Sequence, residues 1–102
     1  MSIRHWPESE RPREKLLKRG PRALGDAELL ALFLGSGMAG EDAVACARGL
    51  IARHGSLAGL ASLGAESMLR ERGLGPARVA LLLAAHELGT RCLSAQLQRG
   101  PA

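Results

Sequence analysis

At 102 residues the chain has room for one domain with a single core and too little for two of ordinary size. Hydrophobic residues make up 46% and aromatics only 2%, which argues against a disordered chain and for a core of Leu, Ala and Val in packed helices rather than a sheet. Residues 1–22 carry seven Lys/Arg against three acids, residues 23–69 two against five, and residues 70–102 five against two, so the positive charge that would meet an anionic partner lies at the two ends.

The first helix is predicted over about residues 12–19, opened by Pro12 and stopped by Gly20-Pro21. Leu16 and Leu17 are expected to face inward, with Arg13, Lys15, Lys18 and Arg19 in water. Before it, Trp6 beside Pro7 reads as an aromatic plug on the core rather than a base-stacking residue. A second helix follows Asp26, an expected N-cap, and its body AELLALFL is apolar nearly all round and therefore central. It ends at Gly35-Ser36-Gly37. The loop continues through Met38-Ala39-Gly40 and reads as a plain linker, because Glu41 and Asp42 follow it and no basic residue lies near.

The third helix is predicted from about Asp42 to His54, with Val44, Ala47, Leu50 and Ile51 as its apolar stripe and Gly55 as a left-handed stop. Arg48 and Arg53 fall off that stripe, and Cys46 reads as a small core residue. Ser56 is expected to cap a short helix carrying Leu57, Leu60 and Leu63. A fifth helix is predicted over about 65–72. The sixth opens at Pro76 and reaches about Gln96, with Val79, Leu82, Leu83 and His86 on one side and His86 at the core or its boundary. Glu66 and Glu71 read as solvated charges, and His5 and His54 stand alone. The expected fold is an all-α, compact bundle of five to six short helices. The second and third helices with their glycine loop would make a looser copy of the fifth and sixth, a pseudo-duplicated pair. One domain is expected over residues 1–98, followed by a frayed tail at 99–102.

The most distinctive stretch is Gly73-Leu74-Gly75-Pro76-Ala77-Arg78, which has the layout of a helix-hairpin-helix at about residues 65–96. Two glycines are expected to supply the backbone angles of a tight reversal, and Leu74 to pin it to the core. Pro76 suits the first helical position. The amides that follow sit at a helix N-terminus, where free N–H groups and the dipole favour an anionic oxygen. The expected DNA-binding residues are Gly73, Leu74, Gly75, Ala77 and Arg78, with Arg70 and Arg72 as flanking charges. The plainer alternative is an ordinary turn with a glycine C-cap.

No nucleophile–base pair or metal cluster can be assembled from local sequence, so no catalysis, metal or cofactor is expected in this chain. Cys46 and Cys92 lie in no metal-like spacing, which fits a reducing, cytoplasmic setting. The N-terminus has no apolar h-region, and no apolar run approaches the roughly 20 residues of a membrane span.

Taken together, Trp6-Pro7, the run Arg11-Pro12-Arg13-Glu14-Lys15-Leu16-Leu17, the segment Leu24 to Leu34, the glycine loop and GLGPAR resemble the N-terminal domain of the bacterial RadC family. The resemblance covers essentially the whole chain. It implies a helical, DNA-repair-associated domain related to helix-hairpin-helix modules. It also implies a following JAB/MPN-type metal domain whose zinc-binding motif is absent here. Two positions depart from the family pattern. Glu71 stands where an apolar residue is usual, and is expected to remove a core contact and repel phosphate. Val79 stands where a small residue is usual, and is expected to hold the two helices apart. The function implied is non-sequence-specific DNA binding through backbone phosphate; the alternative is a protein-interaction module that positions the metal-hydrolase domain.

Overall fold

A computed structural model describes residues 11–35 and 42–99, and every regular element among them is helical. Helix α1 spans Pro12–Arg19, with Glu14 in its first turn and Lys18 and Arg19 in its last, matching the helix dipole at both ends. Gly20, at φ +87°, closes it by donating to the Leu16 carbonyl at 2.8 Å. Pro12 is buried and Lys15 and Leu16 are half-buried, but Leu17 is 78% exposed. A helix of eight residues rests on its neighbours by one side only, and positions 12, 15 and 16 take that side. The inward Leu17 and the wet Lys15 of the sequence reading are both corrected.

A 3-10 turn over Pro21–Ala23 leads to α2, Asp26–Leu34. The N-cap is Gly25 rather than Asp26. Glu28 reaches back to accept from the Gly25 N–H at 3.0 Å, so the cap bond comes from the third helical residue. The same carboxylate takes Lys15 Nζ at 3.2 Å and ties α1 to α2. The backbone hydrogen bond from Gly25, opposed by partial burial and aided by Lys15, holds the Glu28 carboxyl below its ordinary range.

Helix α3, Ala43–Arg53, is capped as its sequence predicts: Asp42 Oδ1 accepts from the Val44 N–H at 2.8 Å. It packs along α2, and the core lies between them. Leu30, Ala31 and Leu34 meet Val44, Cys46, Ala47 and Leu50 there; Leu34, Ala47 and Leu50 have no exposed surface. Each fully buried leucine contributes about 1.5–3 kcal/mol of burial.

Gly55, at φ +83°, turns the chain into α4, Leu57–Ala61, where Ser56 Oγ accepts from the Gly59 N–H at 2.9 Å. Gly59 is required for space. A Cβ there would fall on the backbone carbonyl oxygen of His54. Helix α5, Ala65–Leu69, stops earlier than predicted, and α6, Pro76–Arg99, runs three residues further than predicted. Leu60, Met68, Leu74 and Val79 complete the core.

His86 is exposed, which corrects its core or boundary placement. Helices α2, α4 and α5 meet only the first part of α6, so the apolar stripe outruns the body of the domain. The readings made for His5, Trp6, Pro7 and the Ser36–Gly40 part of the glycine loop lie outside the described residues.

Candidate nucleic-acid interface

The hairpin between α5 and α6 is held by local backbone bonds. Arg70 N–H donates to Ser67, Glu71 N–H to Met68 and Leu74 N–H to Glu71, at 3.3, 3.0 and 3.1 Å. Gly73 has φ +90°, the left-handed conformation in which a side chain is strained. Leu74 is buried at 3% exposure and pins the turn, as its position between two glycines predicts. Helix α6 then opens with the Val79 N–H donating to the Gly75 carbonyl at 3.0 Å.

Gly75 departs from expectation. Its φ is not positive, and a Cβ built on it would meet nothing within 4 Å. The reversal therefore rests on Gly73 alone. What Gly75 leaves is bare backbone at the mouth of α6, beside the Ala77 and Arg78 amides, which have no acceptor within their own helix.

Arg78 is half-buried and donates from Nη1 to the Gly73 carbonyl at 2.9 Å. Part of its guanidinium fork thus braces the turn. The amide of Arg78 stays at the mouth of α6. Arg70 and Arg72 are exposed on the turn, while Ala77 and Gly75 are exposed at the helix start.

Glu71 is not a solvated charge. Its carboxylate receives Arg53 Nη2 at 3.2 Å and meets His54 Nε2 at 2.5 Å. The hydrogen bond from His54, opposed by partial burial and aided by Arg53, holds the Glu71 carboxyl below its ordinary range. The hairpin is thereby tied to the end of α3 by an ion pair, where the resemblance led to the expectation of a lost core contact. The Arg53 guanidinium facing the carboxylate also offsets the repulsion expected towards a phosphate. Sequence reading missed Arg53 and His54 at this site, since nothing local links them to a residue 17 or 18 positions away.

Val79 is accommodated in the core at 3% exposure, packed in the same cluster as Leu74 and Met68. An open cleft beside the hairpin is walled by Ala45, Cys46 and Gly49 of α3 on one side and by Arg70, Glu71 and Arg72 on the other, with Arg53 at its edge. The cleft brings Arg53 of α3 together with Arg70 and Arg72 of the hairpin, 17 and 19 positions later in the chain. Among the described residues, no three His, Cys, Asp or Glu side chains gather into a metal-holding group, and no helix is long and apolar enough to cross a membrane.

Comparison with known proteins places these features in a family. The profile described as UPF0758 N-terminal matches residues 3–80. A UPF0758 protein of Stenotrophomonas maltophilia (strain R551-3) is 57% identical over 102 residues, covering all of this chain and 44% of the relative. One from Xanthomonas oryzae pv. oryzae (strain PXO99A) is 55% identical over the same span, 45% of its length. One from Halorhodospira halophila (strain DSM 244 / SL1) is 52% identical over 101 residues, 99% of this chain and 45% of the relative. The chain thus spans less than half the length of these bacterial relatives, and their names state no activity. No solved structure matches. The chain belongs to the UPF0758 family and corresponds to its N-terminal part, in keeping with the resemblance to the RadC N-terminal domain.

Proposed function

We propose that this chain is a DNA-binding module that takes backbone phosphate at the α5–α6 hairpin without reading base sequence, in a protein associated with DNA repair. One observation carries the reading. At Gly75 the fold needs neither a left-handed backbone nor the absence of a side chain, yet the position is glycine and its backbone is open. Glycine is an ordinary N-cap residue, as at Gly25 and Gly64, and at Gly75 it also leaves room for a ligand's close approach, since a methyl group there would stand between the α6 amides and an incoming phosphate. Gly73 and Leu74 shape the turn, the Gly75, Ala77 and Arg78 amides receive the phosphate oxygens, and Arg70 and Arg72 add charge beside them. Backbone amides and arginines directed at phosphates position a duplex but carry no sequence information.

The test is an NMR titration with a short duplex and, separately, with a single strand. Amide shifts centred on residues 73–78 are expected. Shifts absent there, or spread evenly over the basic N-terminal segment, would overturn the assignment. A second reading, a module that positions a C-terminal metal-hydrolase domain, is favoured by a different observation: the uncovered leucines of α6.

A further inference from the structure

From His86 to Arg99 every residue of α6 is exposed, and Leu88, Leu93 and Leu97 stand 64%, 56% and 72% bare. At about 100° per residue, Leu93 and Leu97 continue the line of Val79, Leu82 and Leu83, the side of α6 that packs into the core. Leu88, Cys92 and Ala95 continue a second line from Leu81. The two lines lie on opposite sides of the helix and bound an arc of roughly 200° between residues 86 and 99, whose middle is held by Gly89 and Gln96, with His86 and the terminal Arg99 also inside it. Glu87, Thr90, Arg91, Ser94 and Gln98 occupy the polar remainder.

The width of that arc matters. Two helices pair through a narrow seam, whereas an arc this broad fits a helix set into the surface of a larger body. The stretch also has little helix stability of its own. About 14 residues is marginal in water even for alanine-rich sequences, and Gly89 and Thr90 lower the propensity further.

Two facts point to one occupant. The N-terminal family profile stops at residue 80, so the bare stretch lies beyond it. The relatives are more than twice as long as this chain, which corresponds to their N-terminal part, so in them further chain follows the segment equivalent to α6. We propose that residues 86–99 of α6 form the docking face for the C-terminal part of the full-length protein, which closes over Leu88, Cys92, Leu93 and Leu97. The inference rests on the second reading given above, is independent of DNA binding at the hairpin, and would stand if that binding were absent.

Hydrogen exchange tests it on the 102-residue chain and on the full-length S. maltophilia relative. The amides of residues 86–99 should exchange quickly in the short chain and at least tenfold more slowly at the equivalent positions of the full-length protein. A second measurement uses Cys92, a free and exposed thiol. In the full-length relative carrying this chain as its N-terminal part, Cys92 should react with a thiol reagent at least tenfold more slowly than in the short chain. The double substitution Leu93→Ser and Leu97→Ser should restore the reactivity. Equal, rapid exchange in short and full-length proteins would overturn the proposal. So would protection in the short chain that rises with its concentration alongside a dimer in sedimentation, because the occupant would then be a second copy.

Discussion

The carboxylate of Glu71, at the hairpin, meets the imidazole of His54, at the end of α3, 17 positions earlier in the chain. With Arg53 this contact fastens the proposed phosphate site to the core helix and makes the hairpin's hold sensitive to acid. Glu71 binds its proton less readily folded than unfolded, because its carboxyl is held below the ordinary value. Its contribution is therefore complete above the ordinary glutamate pKa of about 4.3 and is lost as pH falls through that value to the lower folded one. Glu71→Gln should cost up to about 1 kcal/mol at pH 7, as for other partly exposed pairs. Denaturant unfolding should show the difference between parent and variant shrinking below about pH 4. Glu71→Ile should lower the thermal midpoint, because it leaves Arg53 and His54 facing a hydrocarbon.

The two hairpin glycines should behave differently. Gly73→Ala forces a side chain into a left-handed backbone and should cost about 1–2 kcal/mol of stability. Gly75→Ala places a methyl in open space and should stay within about 1 kcal/mol, the scale of an N-cap change. Its effect belongs in binding, where at least a several-fold loss of DNA affinity is expected by anisotropy. Full affinity in Gly75→Ala would remove the argument for close phosphate approach.

Core and surface leucines offer a direct check of the packing. Leu50→Ala empties a fully buried site and should cost about 2–5 kcal/mol in denaturant unfolding. Leu17→Ala, on the uncovered side of α1, should change stability by no more than about 0.5 kcal/mol.

Much of this architecture was legible because its signals are local. Asp42 and Ser56 cap α3 and α4 through bonds two or three residues long, and Gly55 and Gly73 mark reversals by their own backbone angles. The core residues Val44, Ala47, Leu50 and Leu60 follow from helical spacing. What stayed hidden depends on which side of a helix finds a neighbour. Lys15 with Glu28 and Arg53 with Glu71 join residues 13 and 18 apart, and no local pattern links either pair. Leu16 and Leu17 are equally apolar, and only the lie of α1 decides between them. At the site, GxGP correctly located the turn but misassigned the backbone of Gly75, because a glycine at a helix N-cap looks the same in sequence as one needed for a positive φ.

The central claim, phosphate binding without base readout, is tested most directly by fluorescence anisotropy with two unrelated duplexes across a salt series. With about three phosphates neutralised, log K should fall against log salt with a slope near −3, at roughly −0.9 per phosphate. Both duplexes should bind alike, with Kd of about 10⁻⁴ to 10⁻⁶ M at physiological salt. An affinity indifferent to salt, a strong preference for one sequence, or no binding even at low salt would contradict the account.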